Sequence, residues 1–226
     1  MPREVNLITK SVTIVGGAGF LPQDLRDCLA NGPTLVAADG AANDLEEDKY
    51  KPNYIVGDLD SLTNKKYWDA SRTTIFKIDE QETTDFEKCL YTINADTYFC
   101  TGFIGRRADH FLSVCSTLVK YYYKKVILVG SHDVIFHIPK TIEITLPLGT
   151  RVSLFPMRNL LGINDNGLRW PISGLEFDPS KRVGTSNETV SKKVKLTLSD
   201  NGMLILLPRS SLKYVVKLFL NPNNTN

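Results

Sequence analysis

The first 130 residues alternate short apolar runs with longer amphipathic stretches, and this alternation restricts the fold more than any other feature of the sequence. Most runs are continuously apolar and rich in β-branched residues, as parallel strands covered on both faces require. Between them, over residues 86–93 and 111–119, apolar side chains recur at spacings of three and four, which is typical of helices with one buried face. The predicted strands span residues 12–15, 34–38, 54–56, 74–78, 98–101 and 126–129. The sequence therefore predicts β-α-β units around a parallel sheet.

From about residue 134 the pattern changes to short alternating segments broken by Pro and Gly. The pairs Asn166-Gly167 and Asn201-Gly202 are turn signals, and no segment keeps a helical period for long. This half of the chain is predicted to be all-β. We therefore expect an α/β domain over residues 1–133 and a β domain over residues 134–226.

Composition excludes several classes of protein. Hydrophobic residues make up 42% and charged residues 23% of the 226 residues, as in an ordinary globular protein. The net charge of +2 is too small to predict nucleic-acid or membrane binding, and no apolar run reaches the roughly 20 residues of a membrane helix. The four cysteines are widely spaced, which argues against a zinc site or a disulfide scaffold. We expect a cytoplasmic protein that binds its ligand at a local site.

Acidic residues follow three successive predicted strands. Asp39 ends the second strand, Asp58 and Asp60 the third, and residues 79–85 the fourth. The carboxyl ends of parallel strands meet at the edge of a sheet where ligands bind. Several carboxylates there repel one another unless a cation lies among them, and oxygen ligands without a His or Cys cluster favour a hard divalent ion such as Mg²⁺. The alternative is that Asp58 and Asp60 only cap the next helix and shape the turn.

A second segment of the sequence has features that favour phosphate binding. Residues 102–110 combine a glycine-containing loop with Arg106, Arg107 and the start of a predicted helix, and each of these can bind an anion. Asp109 could orient an arginine or join a metal site. The alternative is that Asp109 caps the helix and both arginines face solvent. The early loop at Gly16 to Gly19 follows a strand but does not complete a dinucleotide-binding motif, because Pro22 occupies the last position.

Six motifs occur in order along both predicted domains: Asp39-Gly40-Ala41-Ala42-Asn43, Gly57-Asp58-Leu59-Asp60-Ser61, Gln81-Glu82-Thr83-Thr84-Asp85-Phe86-Glu87-Lys88, Gly105-Arg106-Arg107-Ala108-Asp109-His110, Gly167-Leu168-Arg169-Trp170-Pro171-Ile172 and Gly184-Thr185-Ser186-Asn187-Glu188. Together they resemble the thiamine pyrophosphokinase family, whose members move a pyrophosphoryl group from ATP to thiamine. Two positions depart from the family pattern. Glu82 stands where Asp is common, and Arg106 replaces a common Gly; we favour a solvent-facing Arg106.

The resemblance implies an α/β catalytic domain that binds ATP and Mg²⁺, followed by a β-sandwich domain for thiamine binding and dimerisation. It implies a homodimer with active sites shared between subunits. Asp58, Asp60 and Asp85 would be catalytic residues and metal ligands, together with Asp39 in the acidic phosphate site. The resemblance further implies these contacts: Thr84, Arg107 and Asp109 for the nucleotide or its phosphates, Gln81 for thiamine, and Ser186, Asn187 and Trp170 for the thiamine pocket of the partner subunit.

Two other functions remain compatible with the acidic edge. One is a metal-dependent phosphohydrolase or nucleotidyltransferase, and the other is a non-catalytic regulator that binds thiamine or a nucleotide. AMP formation that requires thiamine distinguishes the leading hypothesis from both.

Overall fold

The computed structural model describes residues 5–47 and 50–220. The chain divides into two compact units, the first formed by Met1–Thr117 with Leu128–Gly130, and the second by Leu118–Ile127 with Ser131–Asn226. The first unit thus ends three residues before the expected boundary at residues 133 and 134, and residues 118–127 belong to the second. The last six residues of the expected second domain, 221–226, lie outside the described residues.

The first part of the chain has the predicted alternation of strands and helices. Its strands are β1 (Val5–Val15), β2 (Thr34–Ala38), β3 (Tyr54–Gly57), β4 (Thr74–Lys77), β5 (Ile93–Thr101) and β6 (Lys125–Val129). Its helices are α1 (Pro22–Asn31), α2 (Ala41–Glu47), α3 (Lys65–Ala70), α4 (Asp85–Thr92) and α5 (Ala108–Lys120). Within the first unit, five strands pair in parallel in the order β5-β1-β2-β3-β4. The predicted α/β class is confirmed.

The core of this unit forms where the apolar strands meet the helices. Ile14, Val36 and Ile55 on three successive strands of the sheet are completely buried, and so is Trp68 of α3. One local prediction is wrong. Ile93 was predicted to lie in a helix, but α4 ends at Thr92 and Ile93 starts β5, where it pairs with Val5. A β-branched side chain and a long-range partner both favour the extended conformation here.

The second unit contains two antiparallel sheets. Its strands are β7 (Asp133–Ile138), β8 (Thr141–Thr145), β9 (Arg151–Pro156), β10 (Leu160–Asn166), β11 (Glu176–Phe177), β12 (Gly184–Glu188), β13 (Lys193–Leu198) and β14 (Met203–Pro208). Their orders are β12-β9-β14-β7 and β11-β10-β13-β8. Buried and exposed residues alternate along β8 and β13, so the second sheet has one buried face. These two sheets are consistent with the β-sandwich that the resemblance implies.

The expectation that no helix follows residue 134 is wrong. Helix α6 (Leu212–Leu220) follows a 3₁₀ turn at Arg209–Ser211 and buries Leu212, Val215 and Leu218. These three residues are spaced as one helical face requires, but the segment is short and rich in residues that also favour strands. None of the helices in the described part of the chain has the length and apolar character needed to span a membrane.

Candidate functional site

The acidic residues lie where neighbouring parallel strands end. Asp39 follows β2 and Asp58 follows β3, and the two strands pair with Ala38 opposite Val56. The backbone of Asp39 turns sharply here, with a φ of 45°, and its N–H donates to the carbonyl of Val56 at 2.8 Å. Gly57 makes room for this turn, because a Cβ at this position would lie 2.5 Å from the Asp39 Cβ.

Three carboxylates converge at this edge. Asp39, Asp58 and Asp60 each place one carboxylate oxygen within 4.8 Å of the other two. The backbone from Asp58 to Asp60 is not extended, because Leu59 between them has a φ of 67°. The segment is therefore a turn, in which the Asp60 N–H donates to Asp58 Oδ1 at 3.2 Å. The two side chains come together by this turn and not by strand periodicity.

Asp39 is the buried member of the cluster, with 3% of its surface exposed. Its Oδ2 accepts a hydrogen bond of 3.3 Å from the Ser61 N–H, whereas its Oδ1 is buried and has no hydrogen-bond partner among the described residues. Burial raises the pKa of Asp39 above its ordinary value, the Gly40 N–H opposes this shift, and the charge of Asp58 adds to it. An unpaired buried carboxylate oxygen costs free energy unless a cation or donor approaches it.

Asp58 is stabilised as a carboxylate by its neighbours. Gln81 Nε2 donates to Asp58 Oδ2 at 2.7 Å, and this hydrogen bond is the main reason that the pKa of Asp58 is lowered. Asp60 is exposed, and its Oδ1 accepts a hydrogen bond from the Ser61 hydroxyl at 2.9 Å. The surroundings of Asp58 therefore favour its carboxylate form, whereas the burial of Asp39 disfavours the carboxylate form there.

Lys88 is a site residue that the sequence analysis did not assign. Its side chain is only 2% exposed, and Nζ lies 3.7 Å from Asp58 Oδ2 and 3.5 Å from Asp85 Oδ1. Asp85 begins α4 and joins the acidic cluster through this lysine. Burial raises the pKa of Asp85, and the negative charge of Asp39 adds to the shift. The three-residue spacing of Asp85 and Lys88 on one helix face was the signal available in the sequence.

Two further residues of the first unit, Thr84 and Asp79, were also predicted at the site. Thr84 caps α4, since its hydroxyl accepts a hydrogen bond from the Glu87 N–H at 3.4 Å. Asp79, expected at the acidic edge, instead forms an ion pair of 2.5 Å with Lys77 and is largely exposed. The acidic cluster therefore contains fewer residues than the sequence predicts, because Asp79 points to solvent.

The arginine loop is organised by its own residues. Arg107 Nη2 and Nε donate to the two oxygens of Asp109 at 2.6 and 3.2 Å, and this pairing lowers the pKa of Asp109 to about 2. Arg106 was expected to face solvent, but its Nη1 donates to the carbonyl of Gly17 at 3.4 Å. Arg106 thus contacts the early glycine loop while remaining exposed.

In the second unit, the three predicted thiamine residues lie close together. Asn187 is buried, and its side-chain amide forms two hydrogen bonds with the backbone of Trp170. The amide oxygen accepts from the Trp170 N–H at 3.1 Å, and the NH₂ donates to the Trp170 carbonyl at 2.7 Å. The indole of Trp170 is 54% exposed, with the Arg169 guanidinium 5.2 Å from a ring centroid. Ser186 is exposed and has a φ of 62°. Asn187 therefore supports the segment that presents Trp170.

Comparisons with known proteins agree with this organisation. Residues 25–129 match the family model described as "Thiamin pyrophosphokinase, catalytic domain", and residues 134–204 match "Thiamin pyrophosphokinase, vitamin B1 binding domain". Thiamine pyrophosphokinase 1 of Arabidopsis thaliana is 27% identical over 203 residues, covering 75% of each chain. Thiamine pyrophosphokinase of Saccharomyces cerevisiae is 49% identical over 70 residues, covering 26% of this chain and 22% of its own.

A solved structure shows the same fold. Thiamin pyrophosphokinase from Candida albicans superimposes with a TM-score of 0.75 at 20% identity, covering 88% of this chain and 89% of its own. The two family models together extend over most of the sequence, in the order in which the two units follow each other. This chain belongs to the thiamin pyrophosphokinase family.

Proposed function

We propose that the chain transfers a pyrophosphate group from ATP to the hydroxyl of thiamine, giving thiamine diphosphate and AMP. Family membership over both halves of the chain supports this reaction. The observation that carries the proposal is the cluster of Asp39, Asp58 and Asp60, in which a buried oxygen of Asp39 has no hydrogen-bond partner. Such a cluster suits a reaction in which a cation brings polyphosphate to an acidic surface.

The residues of this cluster fit Mg²⁺. Their donor atoms are all carboxylate oxygens, which hard divalent cations prefer, and the raised pKa of Asp39 reflects a buried carboxyl that a cation would stabilise as the carboxylate. Asp39, Asp58 and Asp60 would hold the ion, and Asp85 remains a predicted ligand beside Lys88. When bound, Mg²⁺ would screen the carboxylates from the triphosphate and withdraw negative charge from the reacting phosphates.

The side chains around the cluster would align the reactants. Lys88 lies near both Asp58 and Asp85, and its positive charge offsets part of the repulsion between their carboxylates. Arg107 uses two of its five N–H donors on Asp109, which orients the guanidinium. We propose that Arg107, with Thr84 at the start of α4, contacts the phosphates. Alignment and charge stabilisation account for phosphoryl transfer, so no covalent nucleophile of the protein is required.

The thiamine hydroxyl has to lose a proton as it attacks the β-phosphorus. We propose that Asp58 or Asp85 accepts this proton. Burial raises the pKa of Asp85, whereas the hydrogen bond from Gln81 lowers that of Asp58. A carboxylate with the higher pKa is the stronger base, and this favours Asp85.

Thiamine carries a cationic ring, which an exposed aromatic face attracts. Trp170, held by Asn187, offers such a face, and Ser186 lies beside Asn187 in the sequence. We propose that these residues complete the thiamine pocket of the partner subunit in a homodimer. A cytoplasmic location is supported by the four cysteines, which are all buried and are well spaced for isolated thiols.

The reaction is tested by incubating the purified protein with ATP, Mg²⁺ and thiamine and identifying the products by mass spectrometry. Thiamine diphosphate and AMP in equal amounts, with AMP formed only when thiamine is present, would support the proposal. Phosphate release without thiamine would indicate a phosphohydrolase. Binding of thiamine or ATP without any product would indicate a regulator.

A further inference from the structure

The carboxylate of Glu80 is the centre of a hydrogen-bond network that the proposed reaction does not use. Glu80 lies in the loop between β4 and α4 and is partly buried. Its Oε2 accepts from the N–H groups of Glu82 and Thr83 at 2.7 and 3.0 Å. Its Oε1 accepts from the hydroxyl groups of Thr83 and Tyr91, the latter at 3.0 Å. A single side chain thus accepts four hydrogen bonds.

This network ties the loop to the helix that follows it. Two donors are backbone groups of the loop, and Tyr91 projects from the last turn of α4. All four donors are neutral groups, and together they lower the pKa of Glu80 to about 2, with the Thr83 hydroxyl as the main cause. Glu80 therefore accepts these bonds as an anion at every pH at which the protein would work.

The loop that Glu80 organises carries a contact of the acidic cluster. Gln81 is the next residue, and its side chain donates to Asp58 at 2.7 Å. We propose that Glu80 is a positioning residue that, with Tyr91, fixes the loop so that Gln81 is held against Asp58. The inference rests on the proposed function, because Gln81 is a predicted thiamine contact and Asp58 a predicted metal ligand.

The chemistry of the four donors explains why position 80 needs a carboxylate. Glutamine has nearly the same shape, but one of its two terminal groups is an NH₂ that cannot accept. In Glu80→Gln this NH₂ would face either two backbone N–H groups or two hydroxyl groups. Facing the N–H groups, the NH₂ would leave both without an acceptor. Facing the hydroxyl groups, it would turn them into acceptors, so that every hydrogen bond is made by a neutral group in place of a charged one. Size and most of the packing are retained in either case. This variant therefore tests the network directly.

The first measurement is amide hydrogen exchange of residues 82 and 83, which needs no substrate. In Glu80→Gln we expect both amides to exchange about five- to tenfold faster, because the acceptor of both hydrogen bonds loses its charge. The matched control is Glu143→Gln, which removes an exposed carboxylate 3.6 Å from Lys193 and should leave these amides unchanged. Unchanged exchange in Glu80→Gln would overturn the proposal.

The second measurement separates positioning from loss of folded protein. We expect Glu80→Gln to raise the KM for thiamine about five- to tenfold, the size of one ordinary hydrogen bond, with kcat and the KM for ATP within about twofold. A lower kcat with unchanged KM values would indicate loss of folded enzyme only and would overturn the proposal. Tyr91→Phe removes one donor and should shift the thiamine KM in the same direction by a smaller factor, even if Glu80→Gln fails to fold.

A double variant tests whether Glu80 acts through Gln81. If it does, Glu80→Gln combined with Gln81→Ala should have a thiamine KM within about twofold of Gln81→Ala alone. Independent, multiplying effects would contradict the proposed route. Should the unaltered protein form no thiamine diphosphate, the proposed function fails, while the exchange rates of residues 82 and 83 still decide the role of Glu80 in the loop.

Discussion

Replacing Asp39 by asparagine should make the metal-free protein more stable and remove its response to Mg²⁺. Burial raises the folded-state pKa of Asp39 above the ordinary value of 3.8. The carboxyl therefore contributes stability at pH values below 3.8, and this contribution is lost as the pH rises through the raised value. At pH 7 without a cation, the ionised side chain carries a buried oxygen with no partner. Asparagine keeps the shape and removes the charge.

The size of the effect follows from the negative charge of a carboxylate whose buried oxygen has no partner. The NH₂ of asparagine carries no charge and can donate to the neighbouring carboxylates of Asp58 and Asp60. Leaving a polar group buried without a partner costs about 1–3 kcal/mol. For a chain of this length, each kcal/mol shifts the Tm by roughly 2–4 °C. In chelator at pH 7, Asp39→Asn should therefore melt at least about 2 °C above the unaltered protein, whereas Mg²⁺ should raise the Tm of the unaltered protein only.

Scanning fluorimetry with EDTA or with Mg²⁺ measures both effects. The matched control is Asp79→Asn, which alters an exposed ion pair with Lys77 and should change stability by less than about 0.5 kcal/mol. A lower Tm for Asp39→Asn in EDTA would refute the claim that the carboxylate is strained by burial. An equal rise with Mg²⁺ in Asp39→Asn would refute its role as a ligand.

Three further outcomes are expected. Asp58→Asn or Asp60→Asn should reduce turnover at least roughly a hundredfold, and near-normal activity of either purified variant would contradict the proposed metal site. Lys88→Met should lower the free energy of unfolding in urea by about 2–4 kcal/mol, because it leaves two carboxylates without their buried cation, whereas the exposed Lys66→Met should have almost no effect. Ser186→Ala should mainly raise the KM for thiamine. Mixing this variant with Asp58→Asn should restore some activity if each active site spans two chains. No restoration at any mixing ratio would count against shared active sites.

The parts of the fold set by local apolar patterns were predictable. Continuous apolar runs located six strands, and the ends of two of them located Asp39 and Asp58, because neighbouring parallel strands end at the same edge. The six sequence motifs relate these residues to the thiamine pyrophosphokinase family without any structural information. Ile93 and α6 were missed because β-branched and aromatic residues suit both helices and strands in short segments, so long-range pairing decides between them.

Details of the site depended on side-chain directions that the sequence does not encode locally. Asp79 turns to Lys77 at the surface, although it lies in the segment expected at the acidic edge. Lys88 was missed because a lysine in an amphipathic helix is usually exposed, and only its neighbours Asp58 and Asp85 make its burial tolerable. Asn187 was predicted to contact thiamine, and the sequence did not indicate that its amide also holds the backbone of Trp170.

Gly57 shows that an acidic site can depend on a residue that has no side chain. The glycine has no group that could bind anything, yet the side chain of Asp39 occupies the space next to its Cα. Any larger residue at position 57 would displace the Asp39 carboxylate from the cluster, although every reactive residue would still be present. A comparison of sequences that scores only reactive residues would thus judge such a protein intact, although its geometry had been lost.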